Sequence, residues 1–237
     1  MIRHLLIAVA ICPMLLTVAR ADSGPVAAFH AEYRVLRNGK AIGRAVLSLR
    51  ETGRGQWQFS NHTRGTSGLA GLLGVNVTET STLRWHDGHL QDLHYRYSQN
   101  AAIKSRHREI EFDWDAHRAE IRNGRKTLDV ALVPGAIDRS LVTVALMADL
   151  RASRASPLIY PVVHSRGIQT ERYAATGRES LNLPIGQVQA LRVERQRNGN
   201  KRRTIIWFAP GMNWKPVQIQ QVEKHGETIT MQLARNH

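Results

Sequence analysis

The chain has 237 residues and carries 33 Lys and Arg against 19 Asp and Glu, a formal net charge of +14 at neutral pH. A chain of this length can form one domain that buries about 70% of its unfolded surface, and its single cysteine, Cys12, excludes a disulfide-rich scaffold. The basic residues do not gather in one run with interleaved aromatic residues. We therefore expect no nucleic-acid partner, and the charge favours either a solvated basic surface or attraction to anionic lipid or envelope polymer.

The N-terminus has the three parts of a secretory signal peptide. MIRH supplies a positive region, LLIAVAICPMLLTVA an apolar region, and Ala19-Arg20-Ala21 a cleavage motif. The apolar region is too short for a stable membrane span. Ile11 precedes Cys12, where lipoprotein processing requires a small residue, so we expect no lipidation. The sequence predicts a signal peptide over residues 1–21, cleaved after Ala21, and a single periplasmic β-rich domain over residues 22–237.

Alternating apolar residues predict an antiparallel sheet downstream of the signal peptide. Phe29, Ala31, Tyr33 and Val35 share one face of the first strand, and Asn38-Gly39 after it is a strong signal for a type I′ hairpin turn. The same pattern, separated by turn residues, recurs to the end of the chain. Strands are predicted over residues 29–37, 41–50, 56–60, 77–86, 89–99, 103–114, 118–122, 127–133, 158–164, 168–176, 186–196, 203–209, 215–224 and 227–233.

One segment, residues 138–150, has helical instead of alternating periodicity. Leu141, Val144 and Ala148 recur there at helical spacing, and Asp138 can cap the start of a helix. The apolar stripe of such a helix needs a partner, which the open face of the sheet offers.

Together these elements predict the fold class and a cavity. We expect a mainly β fold in which a curved antiparallel sheet, a half or open barrel, wraps around one or two short helices. A sheet of such long strands has a concave side too large to fill with its own side chains unless helices plug it. The residues predicted to face the cavity are Tyr33, Leu141, Val144 and Trp207.

The segment GTSGLAGLLG, residues 65–74, is apolar, rich in glycine and free of charge. An apolar segment favours the concave side of the sheet, and glycine permits a short helix or a loop that moves. We predict that the segment covers the mouth of the half-barrel and contacts a ligand through Leu69, Leu72 and Leu73. The sequence leaves open whether it is a fixed plug that completes the core or a lid that moves.

Motifs for catalysis or metal binding are weak. Ser67 stands in a near match to the G-x-S-x-G nucleophile motif, but Leu69 occupies a position where glycine is needed. His86 and His89 would face each other across a hairpin turn, yet a structural zinc site needs four ligands and usually cysteines. We therefore expect no catalytic residue, no bound metal and no cofactor.

Acidic residues alternate along the polar face of one predicted strand, with arginines close by in the sequence. General acid–base chemistry needs a carboxyl group with a perturbed pKa in a cleft, which an exposed strand face does not offer. We expect a ladder of ion pairs across neighbouring strands. Its members would be Glu109, Glu111, Asp113 and Asp115 with Arg106, Arg108 and Arg118.

Four stretches resemble a known bacterial periplasmic family. They are FHAEYRV with NGKAIG at residues 29–43, PIGQVQALRVE at 184–194, IWFAP at 206–210 and PVQI at 216–219. The family is the one called domain of unknown function 3108, and the resemblance covers most of residues 29–233. It implies a fold similar to the half-barrel of lipoprotein carriers and related envelope lipid binders. It implies no known activity, so no catalytic residue is carried over.

The prediction for function is a non-catalytic periplasmic binding module. An apolar ligand, such as an acyl chain or the lipid anchor of a lipoprotein, would lie between the concave sheet and the helix, and arginines at the rim would meet an anionic head group. The alternative is a structural or assembly protein that binds an envelope protein or an anionic polymer through its basic surface. A hydrolase is a third and less favoured class.

Overall fold

The computed structural model describes residues 25–68, 71, 74–102, 105–197, 199 and 202–237. Within these residues most of the chain is β-strand, and every strand belongs to one sheet. The strands are β1 (Phe29–Arg37), β2 (Lys40–Gly53), β3 (Gln56–Gly65), β4 (Asn76–His86), β5 (His89–Asn100), β6 (Arg106–Asp113), β7 (Arg118–Asn123), β8 (Lys126–Ala131), β9 (Ile137–Asp138), β10 (Leu158–His164), β11 (Gly167–Leu183), β12 (Gly186–Gln196), β13 (Arg203–Ala209), β14 (Lys215–Val222) and β15 (Thr228–Asn236).

The sheet is two meanders joined at its centre. Its order is β8-β7-β6-β5-β4-β3-β2-β1-β15-β14-β13-β12-β11-β10-β9. The first and last strands, β1 and β15, pair in the middle, and β9 and β10 are the parallel neighbours in an otherwise antiparallel sheet. At the predicted hairpin turn, Asn38 and Gly39 both have positive φ, as a type I′ turn requires. The side chain of Asn38 also accepts a hydrogen bond from the backbone N–H of Thr228 at 2.8 Å.

The sheet is curved until its two ends approach each other. Strands β8 and β9 lie at opposite ends of the strand order, but only residues 132–136 connect them. Such a connection spans about 20 Å at most, so a flat sheet of this width is impossible. Strand β9 lies against β5, and β11 approaches β8. The result is a large open curved sheet that does not close into a barrel, which confirms the predicted fold class.

The longest helix in the described part of the chain is α1 (Val142–Arg151), which begins later than the sequence predicted, and a short 3₁₀ helix follows β13 at Pro210–Met212. Asp138 belongs to β9, and its Oδ1 accepts hydrogen bonds from the backbone N–H groups of Ser140 at 2.5 Å and Leu141 at 3.2 Å. The carboxyl group therefore caps the turn that leads into α1 instead of the helix itself. Six residues of α1 are buried because the helix packs inside the curve of the sheet, against β10 and β14.

Among the described residues, two hydrophobic clusters hold the fold together. The larger one joins β1–β4, α1 and the strands from β10 to β15. The smaller one joins β5–β7 to β10, and its buried members are Tyr95, Ile110, Phe112, Ala119, Ile121, Ala136 and Val163. Because Val163 comes from one arm of the sheet and Tyr95 from the other, the smaller cluster fixes the curvature.

The alternation of β1 is confirmed, since Phe29, Ala31, Tyr33 and Val35 are all buried. Two strands run further than predicted. Strand β3 continues to Gly65, and β11 continues through the bulge between Ala175 and Gly177 to Leu183. The two-residue strand β9 was not predicted, because it is too short for any periodicity.

Candidate functional site

A cavity of about 550 Å³ lies between the concave face of the sheet and the turn that leads into α1. This volume falls in the range of small-molecule sites, about 300–1,000 Å³. One part of its lining is apolar and the rest is polar and mostly charged. The apolar part consists of Leu47, Phe59, Val142, Ile206, Ile219, Val222 and Met231.

Four arginines form one edge of this cavity, which we call the arginine wall: Arg195 on β12, Arg197 just after β12, Arg202 just before β13, and Arg203 on β13. The same four arginines line a second cavity of about 530 Å³. The arginine wall therefore stands at the rim between two open spaces, where charged side chains keep access to water.

Glu171 is the buried carboxylate beneath the arginine wall. It is only 3% exposed, but Nη2 of Arg195 lies 2.7 Å from its Oε1 and Nε2 of His164 lies 2.9 Å from the same atom. The hydroxyl of Tyr173 donates to Oε2 at 2.6 Å. Burial opposes ionisation, but the hydrogen bonds from His164 and Tyr173 and the charge of Arg195 outweigh it and lower the pKa of Glu171. The carboxylate thus stays charged and holds Arg195 in place.

The opposite side of the cavity is built around Arg139. Its guanidinium contacts the carboxylate of Glu79, and the hydroxyl of Tyr95 donates to Glu79 Oε1 at 2.7 Å. The same guanidinium lies 5.1 Å from the ring centre of Tyr97. Arg139 precedes α1, so these contacts tie the start of the helix to β4 and β5.

Next to Arg139, the two arms of the sheet meet at a pair of buried carboxyl groups, which we call the seam. Asp92 on β5 and Asp138 on β9 are both fully buried. The backbone N–H of Asp138 donates to Oδ2 of Asp92 at 2.7 Å, while Oδ1 of Asp92 and Oδ2 of Asp138 have no donor among the described residues. Burial, and then the charge of Asp138, raises the pKa of Asp92 well above its usual range. Burial also raises the pKa of Asp138, to about 6.

Two buried carboxyl groups without a basic partner are best satisfied by a shared proton. One protonated group can then donate to the other, and the repulsion between two charges is avoided. The sequence analysis considered Asp138 only as a helix cap and did not predict that it would meet Asp92. Asp92 and Asp138 lie 46 positions apart, and only the curvature of the sheet brings them together.

The residues predicted to face the cavity are buried but do not line it. The hydroxyl of Tyr33 donates to the backbone carbonyl of Pro216 at 2.6 Å, and Leu141 and Val144 are fully buried in the larger cluster. Trp207 lies on the face of β13 opposite to Ile206, which does line the cavity. Both faces of β13 are covered, and the indole N–H of Trp207 donates to Glu179 at 2.7 Å.

The predicted covering residues Leu69, Leu72 and Leu73 lie outside the described residues, but the flanks of their segment are described. The backbone N–H of Gly71 donates to the carbonyl of Ser67 at 3.1 Å, which is the four-residue spacing of a helical hydrogen bond. Gly65 is paired across the sheet with Gly43. From Gly43 the register continues through Val35, Met231 and Ile219 to Ile206. The last three of these residues line the cavity, so the segment leaves the sheet at the level of the cavity.

The remaining predicted motifs occupy ordinary structural positions. The hydroxyl of Ser67 donates to the backbone carbonyl of Ala41 at 2.7 Å. Nε2 of His86 lies 3.5 Å from the carboxylate of Asp87, and both side chains are mostly exposed.

The acidic face of β6 forms ion pairs across the sheet. Glu109 pairs with Arg96 at 2.6 Å and with Arg122 at 3.7 Å. The hydrogen bonds from Arg96 and His94 lower the pKa of Glu109, and its slight burial opposes them only weakly. His94, Glu109 and Glu111 are close enough to hold a metal ion. Because the arginines already neutralise Glu109, we assign this cluster to the ion-pair ladder.

The fold and the site define a mainly β protein with a cavity-bearing, open, curved sheet. A family model described as "Protein of unknown function (DUF3108)" matches residues 29–234, and the chain belongs to this family. The fold is similar to the crystal structure of a β-barrel-like protein of domain of unknown function DUF1849 from Brucella abortus. That match has 9% sequence identity and a TM-score of 0.57, and it covers 89% of this chain and 97% of the other. No curated protein matches the chain. In the described part of the chain, no helix is long and apolar enough to cross a membrane.

Proposed function

We propose that this protein is a non-catalytic binding module that holds an amphiphilic ligand in the cavity between the sheet and α1. The observation that carries the proposal is the change in character along the cavity, from Ile206, Ile219 and Met231 at one end to the arginine wall at the other. A ligand with an apolar chain would exclude water from the apolar part, and such burial contributes about 25 cal/mol per Å². The polar end of the ligand would remain near water.

We also propose that the protein acts in the periplasm after cleavage behind Ala21. The support is the N-terminal sequence, with its positive region, its apolar region and its cleavage motif. An envelope compartment provides lipids and acylated proteins as ligands for such a cavity. Residues 65–74 would cover the bound chain, since the flank at Gly65 leaves the sheet at the level of the cavity.

The direct test is titration of the purified protein with a dansyl-labelled fatty acid, whose fluorescence rises in an apolar site. Gln221 lines the cavity and is exposed to it. We expect Gln221→Trp to fill the cavity and to weaken binding about tenfold or more. Gln56 is exposed on β3 and does not line the cavity, so Gln56→Trp is the matched control and should bind like the wild type.

Two results would count against the proposal. Equal binding by Gln221→Trp and Gln56→Trp would place the probe elsewhere on the protein. Absence of saturable binding to the wild type would favour the alternative, a structural or assembly protein that uses its basic surface. In that case the search would move to envelope proteins and anionic polymers.

The covering segment has a separate test. Replacement of Leu72 or Leu73 by Asp should reduce the free energy of probe binding by more than it reduces the free energy of unfolding. Equal reductions of the two free energies would mean that the segment is a fixed part of the core.

A further inference from the structure

The side chains of two neighbouring strands change from apolar to cationic in the same direction. Along the cavity face of β13 the order is Ile206, Thr204 and then Arg202 just before the strand. Along β12 it is Val193, which is buried, then Arg195, and then Arg197 just after the strand. Alternate residues of a strand share a face, so both strands present the same gradient to the cavity. A ligand with an apolar tail and an anionic head matches this gradient in one orientation only.

Three members of the arginine wall already have carboxylate partners. Arg195 pairs with Glu171 at 2.7 Å, and Arg202 pairs with Glu223 at 2.6 Å. Arg203 binds Glu194 through two nitrogens, at 2.6 Å and 3.0 Å. The charges of these three guanidinium groups are therefore balanced within the protein.

Arg197 is different. Within the described part of the chain its hydrogen-bond partner is the hydroxyl of Thr204, at 3.5 Å, and no carboxylate pairs with it. Its Nε is buried and has no acceptor there. Burial, and then the neighbouring charge of Arg195, lower the pKa of Arg197 from its usual value. An anion bound in the cavity would oppose both effects.

Like the Nε of Arg197, the Nε of Arg195 is buried and has no hydrogen-bond acceptor in the described residues. Arg195 is fixed by Glu171 through Nη2, so its Nε–H is held in a constant position. Guanidinium groups bind phosphate and carboxylate oxygens in pairs of parallel hydrogen bonds. Arg195 near the end of β12 and Arg197 just after the strand both line the cavity, so their two guanidinium groups can together hold one such group.

We propose that Arg197, with Arg195 beside it, binds the anionic head group of the amphiphile, a phosphate or a carboxylate. This inference rests on the proposed function, since it places the head of the ligand whose tail occupies the apolar part of the cavity. The role of Glu171 is to position Arg195. The ligand class is thus an anionic lipid with a phosphate or carboxylate head group, as opposed to a neutral or cationic lipid.

Calorimetric titration with detergents of one chain length tests the head group, at concentrations below those at which micelles form. We expect dodecyl phosphate to bind about tenfold more tightly than dodecyl maltoside or dodecyltrimethylammonium. Arg197→Gln should remove most of that difference, and Arg197→Lys should restore part of it. Arg172 is exposed on β11 near the same arginines, so Arg172→Gln controls for the general loss of one positive charge and should bind like the wild type.

The outcomes separate this inference from the proposed function. If the phosphate, maltoside and ammonium compounds bind equally well, or if Arg197→Gln keeps the preference for phosphate, the head-group inference is wrong and the cavity function stands. If none of them binds, both are wrong. Titration with inorganic phosphate identifies the source of the anion. Binding that depends on Arg197 but gains nothing from the dodecyl chain would assign the site to a free anion and contradict the amphiphile.

Discussion

The protein keeps buried carboxyl groups in two different ways, at the seam and at the arginine wall. Asp92 and Asp138 are fully buried, and within the described part of the chain neither has a cationic partner, so burial raises the pKa of both. Glu171 is almost as deeply buried, but His164, Tyr173 and Arg195 lower its pKa. The seam therefore shares a proton between its two carboxyl groups and joins the two arms of the sheet, whereas the arginine wall keeps its charges beside an open cavity. A buried acid with basic partners thus lies beside the proposed ligand site.

The largest expected effect comes from breaking the seam. Asp138→Ala removes the acceptor for the N–H groups of Ser140 and Leu141 and leaves Asp92 without its partner carboxyl. We expect the free energy of unfolding, measured with urea, to fall by about 3 kcal/mol. Asp129 on β8 is exposed and 3.9 Å from Arg118, so Asp129→Ala should cost less than about 0.5 kcal/mol. Similar losses in the two variants would show that the seam does not join the arms.

Glu171→Gln should have the second largest effect, because it removes the charge that balances Arg195. We expect a loss of about 2 kcal/mol at neutral pH. The pKa of Glu171 is lowered in the folded protein, so its contribution is present above the unfolded pKa of about 4.3 and is lost as the pH falls through the folded value. Unfolding by urea at several acidic pH values should show a smaller loss of stability in the variant than in the wild type. Parallel acid profiles would contradict the ionised state of Glu171.

The seam has the opposite dependence on pH. Because burial raises the pKa of both carboxyl groups, their contribution is complete below the unfolded value of about 3.9 and is lost as the pH rises through the raised values. Asp92→Asn keeps an acceptor for the N–H of Asp138 and supplies a permanent donor to its carboxyl. Relative to the wild type, the variant should gain about 1 kcal/mol between about pH 5 and about pH 8. A constant difference over that range would mean that the pair does not share a proton.

The smallest effect on stability belongs to the residue with the largest proposed effect on binding. Arg197→Gln leaves no carboxylate of the described residues without its partner. The free energy of unfolding should change by less than about 0.5 kcal/mol. Thermal and urea unfolding of this variant beside Glu171→Gln gives the comparison, and a loss of about 2 kcal/mol in Arg197→Gln would make the residue structural.

Local pattern was enough to predict the sheet, because each strand face and each hairpin turn is set by residues close together in the sequence. Asn38-Gly39 and the alternation of β1 are examples. The cavity was harder to predict, because β13 is apolar on both faces and alternation could not show that Ile206, and not Trp207, lines it. The seam could not be predicted at all, since it depends on the curvature that joins β5 to β9. The basic stretch from Arg192 to Arg203 was a visible signal for the arginine wall.

The central claim is that the cavity holds an amphiphile, and native mass spectrometry tests it most directly. The protein would be expressed with its own N-terminus in a Gram-negative host, purified from the periplasm without detergent, and measured under native and denaturing conditions. We expect the mass of residues 22–237 with an additional component that is lost on denaturation and extracts as an anionic lipid. A bare mass under native conditions, together with no binding of added dodecyl phosphate, would contradict the account.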